Sequence, residues 1–417
     1  MTNQMIIEAL RKGLPPEKGV DLYSVGHDKL ITGIKKFHLS QIDEIGKIRF
    51  VSGSWGSGKT HFFRLLREVA FKENCLVSNV ELSVNDAPLN KFERVFYSII
   101  RNIMTPFHYE MGNMHEAMPF NNVVFEALKT LGSAVDEKYE EVTYETYANA
   151  CEKLMENKGI DIDFKKIIQE YWKTYLPEGA EKAVIEQTRD EILQWFEGEG
   201  TKGSYRKRFG VNKTVSRDNA KLMLQSLSEF IKMAGYKGLI ILFDEAEQSY
   251  STMRKSALRD AHNNLLSLIN SIESLSGMFL IYATTPDFYT DPKHGIVVYG
   301  ALSGRIGKPE DHPPRALETV WNLDAVTIKL EDYQEVAKKI RSLYIQDYPQ
   351  TEDLLMNDGD LEIFVNELYE LHPSLSAVRF WRVLVTGLTR RLDNLMEEEE
   401  VSTEDLYYNV MDVLREE

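Results

Sequence analysis

The segment that most constrains this chain is Gly53-Ser-Trp-Gly-Ser-Gly-Lys-Thr60, which fits the pattern G-x-x-x-x-G-K-[ST] without a mismatch. A short predicted strand, Ile48–Ser52, precedes it, and apolar residues from Phe62 to Val69 follow at helical spacing. A glycine-rich turn between a strand and a helix points backbone N–H groups and the positive helix end at an anion. The segment therefore predicts a phosphate-binding loop in an α/β fold with a parallel sheet.

The residue types in this loop predict which nucleotide groups they contact. Lys59 is expected to reach the β- and γ-phosphates of ATP, and the Thr60 hydroxyl is a candidate Mg²⁺ ligand. The other loop residues that we expect to bind the cofactor are Gly53, Ser54, Trp55, Gly56, Ser57, Gly58 and His61.

A second apolar run, Leu239–Phe243, ends in the acids Asp244 and Glu245. Such a strand delivers carboxylates to the carboxyl edge of the sheet, beside the phosphate loop. We expect Asp244 to hold Mg²⁺ and Glu245 to orient the attacking water, because hydrolysis needs both a metal holder and a base. With Lys59, these acids are the main candidate catalytic residues.

The next buried strand ends in Ala283-Thr284-Thr285-Pro286. A polar side chain here would lie between the two acids and the γ-phosphate. Thr284 or Thr285 is a candidate for a hydrogen bond to the water or the phosphate, and Thr285 is taken as the catalytic candidate. The alternative interpretation is a turn at the end of a strand.

Three arginines are candidates for contact with the terminal phosphate. Arg305 and Arg315 lie between the threonine strand and the last strand, where ring-forming ATPases carry an arginine that reaches the neighbouring subunit. Arg305 is the first candidate and implies a homo-oligomer. Arg379 opens a late helix and is expected to sense nucleotide. Solvated surface arginines are the alternative.

Strand and helix patterns divide the chain into an interrupted α/β core and a helical end. No strand is expected between residues 90 and 200, which favours a helical insertion over a separate domain. The last strand is expected to run from Val320 to Leu330, and Ser402 is a predicted helix cap. The predicted parts are a first core part with the phosphate loop (1–95), the helical insertion (96–200), a second core part (201–330) and a C-terminal helical lid (331–417).

Composition limits location and partners. The apolar runs are too short to span a membrane, and two cysteines without a CxxC motif fit a reducing cytoplasm. The net charge of −16 argues against a surface that is coated with nucleic acid.

Residues 201–217 nevertheless hold six basic side chains and no acid, with Tyr205 and Phe209 between them. This segment predicts contact with DNA, with an acidic partner or with acids of this chain. The aromatic pairs Tyr171-Trp172 and Phe380-Trp381 are predicted to lie in the core.

The motifs with their flanks resemble AAA+ ATPases, in the branch near the origin-recognition and replication-initiator ATPases. More closely, the chain resembles the ATP-binding proteins of bacterial BREX-type phage-defence systems. The resemblance rests on residues 7–16, 23–27, 53–60 and 235–247 and on the segment of Arg379.

This resemblance implies a P-loop core with a helical lid, ATP and Mg²⁺ as cofactors, and other defence-system proteins as partners. It places Tyr23, Val25 and Gly26 in the segment that packs on adenine, and His27 where related ATPases often have arginine. The asparagine that usually follows the sensor strand is threonine here. ATP hydrolysis that drives a defence complex on DNA is the first function hypothesis. A nucleotide-controlled switch and a DNA-translocating motor are the alternatives, and Asp244-Glu245 favours hydrolysis over an inert switch.

Overall fold

The computed structural model describes residues 3–83, 87–111, 119–132, 142–176, 181–244, 253–373 and 379–416. Its strands are β1 Lys47–Ser52, β2 Leu76–Glu81, β3 Ile103–Met104, β4 Leu239–Asp244, β5 Met278–Thr284 and β6 Val320–Asn322. Its α-helices are α1 Asn3–Arg11, α2 Asp28–Phe37, α3 Lys59–Lys72, α4 Phe92–Arg101, α5 Pro106–Met111, α6 Phe120–Gly132, α7 Tyr144–Glu156, α8 Ile162–Lys173, α9 Lys182–Phe196, α10 Lys202–Phe209, α11 Ala220–Met233, α12 Lys255–Ser271, α13 Pro286–Thr290, α14 Gly300–Ile306, α15 Leu330–Asp347, α16 Asp358–Leu371, α17 Phe380–Met396 and α18 Thr403–Glu416.

The strands of the described residues form one sheet in the order β3-β2-β4-β5-β1-β6, and only the β2–β3 pair is antiparallel. Strand β5 therefore separates β1, which leads into the glycine-rich loop, from β4, which ends at Asp244. The carboxyl ends of all three strands meet at one edge, where ligands bind in open α/β sheets.

Successive side chains of a strand point to opposite faces of the sheet, and helices cover both faces. Ile240 and Leu242 pack on the face that α2 and α3 cover. Leu239, Ile241 and Phe243 pack on the opposite face, in one continuous core that includes Trp172 and Trp195 from the middle helices. The middle of the chain thus shares a hydrophobic core with the sheet. The predicted boundaries of a helical insertion stay a prediction.

The expectation that residues 90–200 hold no strand is wrong, because Ile103 and Met104 pair with Ser78 and Val77 at the sheet edge. Two residues are too few to produce a visible alternation. The last strand also ends earlier than expected, at Asn322. There the Asn322 side chain accepts a hydrogen bond from the N–H of Asp324 at 3.1 Å and turns the chain out of the sheet.

A second core joins the two ends of the chain. Ile6, Ile7 and Leu10 of α1 are buried against α15 and α17. The first helix therefore packs with the C-terminal helices and not on the sheet, although the sequence places residues 1–95 with the α/β core. The predicted cap is confirmed, since the Ser402 hydroxyl accepts from the N–H of Asp405 at 3.1 Å.

Candidate nucleotide site

The glycine-rich loop depends on three glycines for its shape. Gly56 and Gly58 have φ angles of 74° and 91°, in the left-handed region that favours glycine. At Gly53 the constraint is space, because a Cβ atom there would lie 2.2 Å from the Ser57 Oγ. The loop thus folds back on itself closely enough to surround a phosphate group.

Helix α3 begins directly after this loop, with Gly58 as its N-cap and without a side-chain cap. The N–H groups of a first helical turn have no carbonyl partner within the helix, and they attract anions. The Ser57 Oγ is buried and has no hydrogen-bond partner among the described residues. Unpaired donors that converge on one spot fit the phosphate groups of a nucleotide.

Lys59 holds its ammonium group at the mouth of the loop. Its Nζ donates to the carbonyl oxygens of Gly53 and Ser54 at 2.7 and 3.3 Å and lies 5.7 Å from the ring centroid of Trp55. A phosphate oxygen is a stronger acceptor for an ammonium group than a neutral carbonyl. Lys59 is therefore placed to exchange these carbonyls for phosphate oxygens.

A cavity of about 530 Å³ opens on this loop. Its phosphate end is lined by Gly56, Ser57, Gly58, Lys59, Thr60 and Asp244. The structure thus brings the candidate magnesium residues, Thr60 and Asp244, to the same cavity. Carboxylate and hydroxyl oxygens are ligands that suit this hard cation. Glu245 lies outside the described residues, so its predicted role stays a prediction.

The carboxyl end of β5 lies beside the loop, since the N–H of Gly53 donates to the carbonyl of Thr284 at 3.1 Å. The Thr284 hydroxyl is buried and bonds to the Val51 carbonyl at 3.1 Å and to the Tyr289 hydroxyl at 2.8 Å. Thr285 is the N-cap of α13, and its side chain makes no capping hydrogen bond to this helix. The Thr285 hydroxyl is therefore less engaged in hydrogen bonds than that of Thr284, and its catalytic role stays a prediction.

Arg379 lies at the phosphate loop, although it is 325 residues from Ser54 in the chain. Its Nη2 donates to the Ser54 Oγ at 2.5 Å and lies 3.3 Å from the Asp324 Oδ1. Asp324 also accepts from the Ser54 N–H at 2.8 Å and from the Ser54 hydroxyl at 2.7 Å. The sequence interpretation missed Asp324, because the last strand was expected to continue past it to Leu330.

The other end of the cavity is apolar and comes from remote segments. It is lined by Tyr23, Val25, Ile328 and Trp381 together with Leu10 and Leu14. Gly26 has a φ of 83°, and a Cβ there would lie 3.1 Å from the Ile328 Cδ1. Phe380 is buried as predicted, and Trp381, also predicted to lie in the core, is partly buried against the second core and lines this cavity.

His61 and Ser24 form a neutral polar link at this apolar end. The Ser24 Oγ donates to the Val20 carbonyl at 2.6 Å and lies 2.7 Å from the His61 Nε2. Burial, with a smaller effect of neighbouring His27, lowers the pKa of His61 to about 3. Burial likewise lowers the pKa of His27. Both rings are therefore uncharged near neutral pH, and this end suits an uncharged base.

The candidate arginines Arg305 and Arg315 do not line the cavity. Arg305 is in α14 and donates to the side-chain oxygen of Asn270. Arg315 is exposed and lies near Glu318. Neither arginine contacts the cavity of its own chain, so a contact with the nucleotide of a neighbouring copy stays a prediction.

In the basic segment 201–217, the aromatic residues Tyr205 and Phe209 are buried. They belong to the core and do not form a stacking surface. Three of the six cations face acids of this chain: Arg208 pairs with Glu191, Lys213 with Asp161 at 3.5 Å, and Arg217 with Asp260 at 3.9 Å. The remaining exposed cations are Lys202, Arg206 and Lys207.

The sheet, the loop and the cavity are compatible with the core of a P-loop NTPase, a class of nucleotide-binding α/β proteins. The chain belongs to the family of the BREX system ATP-binding protein BrxC/D, whose model matches residues 1–411. The resemblance to BREX-type ATP-binding proteins is thereby confirmed. Neither the comparison with curated proteins nor that with solved structures gave a match. No helix in the described ranges has the length and apolar character that crossing a membrane requires.

Proposed function

We propose that this chain is an ATP-hydrolysing protein of AAA+ type that works within a BREX phage-defence system. The proposal depends on the observation that one cavity is lined by the phosphate loop, by Asp244 and by Trp381 of the C-terminal helix α17. A nucleotide in this cavity contacts both the sheet core and the helical end. Its binding and turnover can therefore change how the two parts pack.

The position of β5 supports the AAA+ assignment. This strand lies between β1 and β4, so the polar residues at its end stand between the phosphate loop and Asp244. The resemblance to AAA+ ATPases implies this arrangement for the residue that senses the γ-phosphate. Thr285 is the residue proposed for this role.

The proposed chemistry divides the work among three side chains. Lys59 holds the terminal phosphates, and Thr60 with Asp244 would hold Mg²⁺, which neutralises phosphate charge. Glu245 follows Asp244 directly in the chain and is proposed to orient the attacking water and accept its proton. The Glu245 amide variant keeps the size of the side chain and loses the base.

A steady-state phosphate-release assay with Mg²⁺ tests this proposal. We expect Glu245→Gln to bind ATP like the wild type and to lose turnover at least about 100-fold, the lower range for removal of a general base. The control is Glu247→Gln, two residues further on. Equal turnover in wild type and Glu245→Gln would remove the catalytic role, and a slow wild type that binds ATP tightly would favour a nucleotide-controlled switch.

We propose that Arg305 acts on the nucleotide of a neighbouring copy in a homo-oligomer. The exposed position of α14, outside the cavity of its own chain, supports this. Specific activity should then rise with protein concentration, and Arg305→Ala should lower turnover but not ATP affinity. Activity that is independent of concentration and intact in the variant would refute the proposal; Arg315→Ala is the paired comparison.

DNA contact through the basic segment is proposed for Lys202, Arg206 and Lys207 only, since the other cations of the segment face acids of this chain. Reversal of these three residues to glutamate should weaken DNA binding and flatten its salt dependence by about 0.9 in log–log slope for each lost phosphate contact. Basal ATPase activity should persist.

A control for this reversal is the same three-charge change at Lys12, Lys29 and Lys36, which are exposed on the N-terminal helices or directly after them. If both triple variants lose DNA binding equally, only net charge matters. If the wild type binds no DNA at moderate salt, the segment is better explained by contact with an acidic partner protein of the defence system.

A further inference from the structure

Asp324 is a carboxylate beside a loop built for anions. It lies in the short turn Leu323–Ala325 after β6 and accepts two hydrogen bonds from Ser54. The same carboxylate lies 3.3 Å from the guanidinium group of Arg379. One side chain therefore connects the phosphate loop with the residue that opens helix α17.

The position of this charge is unfavourable for a site that binds a polyanion, because like charges repel. The contacts of the Asp324 carboxylate indicate two functions that offset this repulsion. It fixes the first turn of the loop through the Ser54 N–H, and it gives Arg379 an anionic partner. Both contacts involve residues that lie beside the expected position of the phosphate oxygens, namely Ser54 and Arg379.

The ion pair is suited to exchange. Side-chain exposure is 49% for Arg379 and 28% for Asp324, and a single guanidinium nitrogen makes the contact. Such half-exposed pairs are weak, whereas a phosphate group accepts two parallel bonds from the guanidinium fork. A terminal phosphate is therefore the better partner for Arg379.

We propose that Asp324 is a positioning residue that competes with the terminal phosphate of ATP for Arg379. This inference rests on the proposed function of the site. When ATP binds, Arg379 exchanges Asp324 for the γ-phosphate, while Asp324 keeps its bonds to Ser54. The exchange makes the position of α17 depend on whether the bound nucleotide is ATP or ADP, because only ATP carries the group that draws Arg379 away.

The test compares the dissociation constants of ATP and ADP for wild type and Asp324→Asn, measured by calorimetry on the full chain. Asparagine still accepts a hydrogen bond from Ser54 but has no charge to hold Arg379. We expect ATP to bind about fivefold tighter, as for the loss of one exposed ion pair, and ADP to change by less than about twofold. Asp324→Glu should keep the wild-type ratio of the two constants.

Two further variants separate the exchange from general effects. In an Arg379→Ala background, Asp324→Asn should no longer change the ratio of ATP to ADP affinity. Asp412→Asn, an exposed carboxylate in α18, controls for net charge and should leave both constants unchanged. If Asp324→Asn does not fold, as judged by thermal unfolding, Asp324→Ser carries the same prediction.

Equal shifts for ATP and ADP, or a shift that persists without Arg379, would overturn the inference. Wild-type protein that binds no ATP would overturn the proposed function and this inference with it. Wild-type protein that binds ATP normally, with a ratio that Asp324→Asn does not change, would overturn the role of Asp324 alone.

Discussion

The two ends of the nucleotide cavity are built in different ways. The phosphate end comes almost entirely from one continuous segment, Gly53–Thr60, held between a strand and a helix. The base end is assembled from Tyr23 and Val25, from the connection after β6 and from Trp381. The phosphate end is therefore mostly local in the sequence, whereas the base end needs the two ends of the chain to pack together.

This difference predicts which ligands lose affinity when a residue of either end is replaced. Loss of a phosphate contact should weaken every ligand that has phosphates, because the loop residues face the phosphates whether or not a base is attached. Loss of a base contact weakens only ligands that carry a base. Inorganic triphosphate and ATP are thus a matched pair of probes for the two ends.

The largest effect is expected for Lys59→Ala. One ammonium group that faces two phosphates is lost, which corresponds to about 3 kcal/mol or roughly a 100-fold weaker affinity for both ATP and triphosphate. Calorimetric titration measures both constants. The control is Lys72→Ala in the last turn of the same helix, whose ammonium pairs with Asp21. Unchanged ATP affinity in Lys59→Ala would refute the phosphate-loop assignment.

A smaller effect is expected at the base end for Trp381→Ala. A ring that packs on a base contributes about 1–3 kcal/mol, so ATP affinity should fall roughly tenfold while triphosphate affinity stays the same. Trp381→Phe, which keeps a ring, should restore most of the loss. A parallel loss for ATP and triphosphate would show that the two ends are not separable.

The sequence predicts most residues that line the phosphate end of the cavity, because this information is local. Lys59, Thr60 and the three glycines follow from spacing alone, and Asp244 follows from one apolar strand. The fold class follows from the same strand-loop-helix pattern. These elements need no knowledge of distant contacts.

The remaining features depend on contacts between distant parts of the chain. Asp324 lies 270 residues from Ser54, and no periodicity links them. Trp381 has the pattern of a core residue in the sequence, and its position beside the cavity depends on how α17 packs with distant segments. Strand β3 is two residues long, and its pairing with β2 defines it rather than its own side chains.

A further prediction concerns pH and the uncharged base end, and its effect is on stability and not mainly on nucleotide affinity. Burial holds the pKa of His61 at about 3, below the ordinary value of 6.5 for the unfolded chain. Between these values the unfolded state binds the proton and the folded state does not, so stability falls as pH falls from 6.5 towards 3. The slope from one such histidine is at most about 1.4 kcal/mol per pH unit.

His61→Asn should therefore flatten the dependence of the unfolding free energy on pH in this window, as measured by denaturant titrations. His38→Asn is the matched control, because burial lowers the pKa of His38 to about 4, and the ring bonds to the Ala316 carbonyl outside the cavity. Both variants should flatten the curve, and only His61→Asn should alter ATP affinity. An unchanged slope in His61→Asn would mean that this ring is not held uncharged.

The claim that one nucleotide bridges the sheet core and the C-terminal helices is tested most directly by a structure determined with a non-hydrolysable ATP analogue. We expect the phosphates against the loop at Lys59, and the base in contact with Val25 on one side and Trp381 on the other. A nucleotide held at the loop with its base in solvent, away from the C-terminal helices, would contradict this account.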